Sequence, residues 1–121
     1  MNDGELKSKV HSAIYHQLKE RGFAAPVDVL VDIGVLTKEN LDNWRFGRVP
    51  YLEKVCTANL KKLSAIMHEV RSYAVKNDLK ASWTYYGQWG IKNGKRPKLR
   101  FSKSGDEKNE ESYATHYLRK V

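Results

Sequence analysis

Between Cys56 and Ala74 apolar residues return every three or four positions: Cys56, Leu60, Leu63, Met67, Val70 and Ala74. Side chains at that spacing share one face of a helix, so this stretch has a seam to bury along its whole length. The pattern predicts a long helix from Pro50 to about Asp78, with Leu52 on the same apolar side. Val55, Ile66 and Tyr73 widen the face beyond the narrow stripe of a two-stranded coiled coil. A wide face suits the spine of a monomer core. A homodimer or protein-interaction module built on the 56–74 seam is the alternative. Cys56 is then a small buried hydrophobe.

Shorter helices precede the spine. Leu6, Val10, Ala13, Ile14 and Leu18 form one stripe over Glu5–Arg21, and Gly22 is a natural stop. Pro26 suits a first helical position, giving a helix over Pro26–Ile33 with Gly34 as its stop; the β-branched Val27, Val29, Val31 and Ile33 leave a strand open. Asp28 and Asp32 lie four apart on that segment without a third ligand nearby, which reads as a solvated helix face. Thr37 is an N-cap for Lys38–Phe46, with Leu41 and Trp44 inward and Gly47 at the end.

The character changes after Leu79. Ser82–Trp89 reads equally as a short helix or a strand rich in aromatics. Asn93-Gly94 is a strong hairpin turn signal, pairing a strand around Trp89–Lys92 with one around Lys95–Ser102. Leu99 and Phe101 alternate with cations there, so the apolar and basic side chains fall on opposite faces. Asp106–Arg119 has acids first and cations last, as a helix macrodipole favours, although Tyr113–Tyr117 could also be extended. The expected fold is α+β, mainly α: four to five helices, one long helix over about 50–78, and a small C-terminal β-hairpin. One domain spans 1–121, with a helical part at 5–79, an aromatic and basic hairpin part at 82–104, and a C-terminal segment at 106–121.

Charge is placed unevenly. The net charge is +8, yet residues 1–60 carry eight basic and eight acidic side chains, so the excess lies in residues 61–121. Six cations fall between Lys92 and Lys103 with no acid among them: Lys92, Lys95, Arg96, Lys98, Arg100 and Lys103. Trp83, Tyr85, Tyr86, Trp89 and Phe101 surround or enter the run. Cations hold phosphates and rings stack on bases, so this stretch points to a nucleic-acid partner, DNA or RNA. Arg71 and Lys76 are a candidate flank. Trp83, Tyr86, Trp89 and Phe101 are expected to serve the core before they serve a ligand. No apolar run nears the roughly 20 residues of a membrane span, the N-terminus is not a secretory signal, and one cysteine cannot form an internal disulfide. These features predict a cytoplasmic protein without a membrane partner.

Gly34-Val35, Leu41, Asn43-Trp44, Gly47 and Pro50 resemble the helix-turn-helix of the lambda-repressor type over about residues 27–54. Relative to that family Leu36 is an extra turn residue, and the first helix lacks the usual small residue facing the turn. The resemblance implies that the N-terminal part of Lys38–Phe46 enters a major groove. Lys38, Asn40 and Asn43 would then read bases, and Arg45 and Arg48 would hold phosphates, against repulsion from Glu39 and Asp42. The run Trp44–Glu53 also looks like a segment of small uncharacterised bacterial proteins, a likeness that implies no function.

Catalytic signatures are weak by comparison. His11, His16, His68 and His116 are scattered, with no His or Cys at metal-ligand spacing, so neither a metal nor a cofactor is expected. Phe101–Gly105 lacks the phosphate-loop pattern and reads as a capped turn. A small enzyme using His116 as base is the least favoured reading, since no triad order or nucleophile elbow accompanies it.

Overall fold

Asn2 opens the first helix by accepting a hydrogen bond from the Glu5 backbone N–H, 2.8 Å away, and Gly22 closes it in the left-handed conformation at φ 81°. The structure is a computed structural model and describes residues 2–120. Helix α1 spans Asp3–Arg21 and buries the stripe Leu6, Val10, Ala13, Ile14 and Leu18. Strand β1, Phe23–Ala24, follows, then α2 over Pro26–Asp32 and α3 over Lys38–Arg45. Thr37 caps α3 through its hydroxyl, which accepts from the Asn40 N–H at 3.1 Å.

The long helix expected from Pro50 is two pieces. A short 3₁₀ turn covers Leu52–Val55, and α4 runs from Leu60 to Lys76. Between them Thr57 is drawn to the turn after α2, where its N–H and its hydroxyl both donate to the Val35 carbonyl, at 2.8 and 3.1 Å. Asn59 then restarts the helix by capping the Lys62 N–H at 2.8 Å. The break removes Cys56 and Leu60 from the buried seam. Leu63, Met67, Val70 and Ala74 keep it, and Ile66 joins them in the core. These residues lie inside the monomer, where α4 packs against α1.

A three-stranded antiparallel sheet closes one side, in the order β1-β3-β2. Strand β2 is Lys80–Trp83, and β3 is Thr115–Leu118, directly after helix α5, Glu107–Ala114. In register, Phe23 faces Leu118 and Ala24 faces Tyr117 on one side; Lys80 faces Leu118 and Trp83 faces Thr115 on the other. Of the two readings open for Tyr113–Tyr117, the extended one holds from Thr115, where the helix ends and the Thr115 hydroxyl donates to the Glu111 carbonyl at 2.7 Å.

The expected hairpin around Asn93-Gly94 survives as a loop rather than two strands. Gly94 turns at φ 83°, and one isolated bridge joins Gly87 to Lys98. Around that bridge Leu99 N–H donates to the Tyr86 carbonyl and Gln88 N–H to the Pro97 carbonyl, both at 2.9 Å, and beyond it the returning backbone bonds to other groups. Leu52 N–H donates to the Arg100 carbonyl and Glu53 N–H to the Phe101 carbonyl, while the Glu110 carboxylate takes the N–H groups of Phe101 and Ser102. With those groups occupied, no ladder forms. The protein is α+β and mainly α, with five α-helices and one small sheet among the described residues. Among them no helix is long and apolar enough to cross a membrane.

Candidate nucleic-acid interface

The aromatic residues divide into a buried set and an exposed set. Trp44 is 0% exposed, and its indole N–H donates to the Arg100 carbonyl at 2.8 Å. Its ring centre lies 5.1 Å from Phe101 and 5.7 Å from Tyr86, and Phe101 stacks at 5.6 Å on Tyr113 of α5. These four rings pin residues 86–101 to the helical part. Trp83, Tyr85 and Trp89 are instead 54%, 44% and 37% exposed. The core assignment expected for Trp83 and Trp89 is thus corrected, while Tyr86 and Phe101 keep it. The reason is local: Trp83 ends β2 at the sheet's edge, and Trp89 sits on the loop beyond the Gly87–Lys98 bridge.

Cations accompany the exposed rings. Lys98 Nζ lies 5.6 Å over Trp83, whose edge meets Tyr85. The Tyr85 hydroxyl donates to the Arg96 carbonyl at 2.6 Å, and Arg96 donates to the Gly87 carbonyl at 3.2 Å. Farther along, Arg45 lies 4.4 Å over Trp89 and 5.0 Å over Tyr86. Phe46 meets Trp89 edge-on at 5.6 Å, and Arg48 covers Phe46 at 4.9 Å. The Trp89 N–H donates to the Arg45 carbonyl at 2.6 Å, which fastens the loop to the end of α3. Gly47 permits that approach: at φ 74°, a Cβ there would lie 2.5 Å from the Gln88 side chain.

The candidate cations differ in their freedom. Lys92 and Lys95 are exposed, and among the described residues their side chains make no hydrogen bond or ion pair. Arg100 turns back to the Ser102 and Lys103 carbonyls and lies over Tyr51, so it braces the loop. Lys103 is exposed, while its N–H donates to Glu53 at 2.8 Å. Arg71 donates to Ser112 at 3.2 Å across a groove of about 790 Å³ between α4 and α5, and Lys76 stands exposed at the end of α4. On α3, Lys38 pairs with Asp42 at 3.2 Å, Arg48 donates to Asn43 at 3.2 Å, and Asn40 is half-buried. Ser102–Gly105 is a turn closed on itself, with Gly105 N–H donating to Ser102 Oγ and Asp106 N–H to Ser104 Oγ.

Some supporting residues escape a sequence reading. Glu110 and Glu53, whose carboxylates organise the loop's backbone, have no local pattern to mark them. Phe46 did carry a signal, because it lies off the face that Leu41 and Trp44 bury.

Other reactive groups are held in place. Burial pushes the Cys56 thiol up to about 12, with Glu53 adding to the shift, and the thiol donates to the Leu52 carbonyl. A thiol so placed is a poor nucleophile at neutral pH. No cluster of three or more metal-ligating side chains occurs among the described residues. His116 stacks on Phe23 at 5.3 Å, and its Nε2 meets the Tyr86 hydroxyl at 2.7 Å. Burial holds His116 below the ordinary histidine value; Asp28 opposes that shift and Arg21 adds to it.

The folded state therefore favours neutral His116, and the unfolded chain takes up the proton first as pH falls below about 6.5. Stability should drop with pH from that point and level off below the depressed folded value. Thermal unfolding followed by circular dichroism from about pH 7.5 to about pH 5 tests this. The melting temperature should fall, and H116F should flatten its pH dependence; an unchanged slope in H116F would assign the effect to other groups.

No family model, curated protein or solved structure matches the chain.

Proposed function

We propose that this protein binds single-stranded nucleic acid without catalysis, through the face formed by residues 83–98 and the end of α3. One observation carries the reading: three exposed rings, Trp83, Tyr85 and Trp89, are interleaved with cations on a stretch that has no acid between Asp78 and Asp106, and a fourth, Phe46, meets Trp89 from the end of α3. Bases stack on such rings whatever their sequence, and cations beside the rings meet the phosphates. The lysines Lys92, Lys95 and Lys98 supply mobile charge, and Arg48 supplies a further contact at the Phe46 end. Lys103, Arg71 and Lys76 are outlying cations that would extend the track. We place recognition here rather than on the N-terminal part of α3 because Lys38 is already paired with Asp42 there. The same chemistry admits DNA and RNA.

Fluorescence anisotropy with labelled oligothymidylate and oligouridylate, titrated at several salt concentrations, tests the proposal. Affinity should fall linearly on a log–log plot, by about 0.7 per phosphate neutralised. Replacing Lys92, Lys95 and Lys98 together by alanine should make that slope shallower by about 2. Binding that ignores salt, or no binding to either strand at low salt, would overturn the proposal.

A further inference from the structure

Arg45 is the least economical side chain on this face. Its Nε is buried and has no hydrogen-bond partner. Its two terminal amino groups make no hydrogen bond or ion pair among the described residues either, and they are not closed off from solvent. Three rings surround the guanidinium carbon, Trp89 at 4.4 Å, Tyr86 at 5.0 Å and Trp44 at 5.9 Å. Burial pulls the group below its ordinary pKa; Tyr86 opposes that shift and Arg96 adds to it. Leaving a buried donor unpaired is destabilising. Groups that break a local rule in this way concentrate where a ligand completes the arrangement.

From the half-buried guanidinium with its open amino end set among Trp89, Tyr86 and Trp44, we infer that Arg45 reads the edge of a base and selects guanine over adenine. This rests on the nucleic-acid reading above and adds a sequence preference to it. The fork of two N–H groups fits two adjacent acceptors. Guanine offers these as O6 and N7, whereas adenine places an amino donor beside its N7, where it would oppose the arginine donors. The position favours a base over a phosphate. Lys92 and Lys95 are exposed, as phosphate contacts would need, whereas Arg45 is half-buried beside Trp89, one of the exposed rings offered to bases. A phosphate reaching Arg45 would have to carry its charged, hydrated group in among Trp44, Tyr86 and Trp89.

The test compares thymidine tracts carrying one central guanine, adenine or 7-deazaguanine, in which N7 becomes C–H. The unaltered protein should bind the guanine tract about tenfold more tightly than the adenine tract. The 7-deazaguanine tract should lose most of that advantage. R45K keeps the charge and removes the fork, so it should bind all three tracts alike. Equal affinity for guanine and adenine, with tract binding intact, overturns the assignment to Arg45 and leaves the nucleic-acid reading standing. A guanine preference that persists in a folded R45K also overturns it. Failure to bind any tract overturns both. The 7-deazaguanine comparison needs no variant, so a guanine preference that survives the loss of N7 overturns the assignment even where R45K does not fold.

Discussion

Truncating Trp44 to alanine should lower the unfolding free energy by about 3–5 kcal/mol. Its side chain is completely buried, and it touches the two rings, Tyr86 and Phe101, that anchor the loop bearing the candidate face. Removing the indole leaves a cavity that those rings cannot collapse into without releasing their own partners. Phe101 would have to leave Tyr113, and Tyr86 would have to leave His116. W44F separates packing from hydrogen bonding. The Arg100 carbonyl also accepts from the Leu52 N–H at 3.1 Å, so it stays paired when the indole N–H is lost. That variant should lose about 1 kcal/mol from the missing bond, plus a smaller packing term. Equilibrium urea unfolding measures both. A loss below about 1.5 kcal/mol in W44A would show that the aromatic cluster does not hold the two parts together. W44A should also weaken oligonucleotide binding at temperatures where the helical part stays folded, because Trp44 is the ring that joins Tyr86 and Phe101 to α3.

Glu110→Gln should have the next largest effect, about 2–4 kcal/mol. The Glu110 carboxylate accepts three hydrogen bonds, from the Phe101 N–H at 2.9 Å, the Ser102 N–H at 2.7 Å and the Ser102 hydroxyl at 2.6 Å. Glutamine has one acceptor oxygen and would aim its amide N–H groups at the remaining donors. Charge-assisted bonds of this kind contribute about twice as much as neutral ones, and an unpaired backbone donor is costly in its own right. Glu111→Gln is the control: it stands one residue along the same helix, is exposed, and should change stability by less than about 0.5 kcal/mol. Chemical denaturation of the two variants side by side tests the claim. Equal, small losses would show that residues 101–102 are held by other contacts.

The first half of the fold is legible in the sequence because its boundaries are marked locally. Gly22 ends α1, Thr37 starts α3, and the spacing of Leu6 through Leu18 selects the buried face. The break before α4 is different. Cys56-Thr57-Ala58-Asn59 contains no glycine or proline, and the interruption depends on Val35, far away in the chain. Asn59 was a cap in plain view, but its meaning depends on a break that the apolar period hides. At the C-terminus, acids followed by cations suggest one helix, whereas Thr115–Leu118 is extended because two strands wait on either side of it.

The candidate face was half readable. Its cations follow from composition, and the Asn93-Gly94 turn from residue chemistry. Which rings stay outside does not follow, because that depends on the edge position of β2 and on where Trp44 meets Tyr86 and Phe101. Arg45 was named for its charge. Its lack of a partner became visible once the neighbours were in place.

The sheet has a peculiar order of assembly. Its central strand, β3, follows both outer strands in the chain. During synthesis on a ribosome, Phe23–Ala24 and Lys80–Trp83 emerge before the strand that pairs with both. Closing the sheet brings residue 118 back to residue 23 and to residue 80, contacts whose loop entropy is lost late. The α1–α4 pair can pack before that moment. Until residues 115–118 arrive, the segments that become β1 and β2 lack the partner that covers their edges, and unpaired edges are where other chains add.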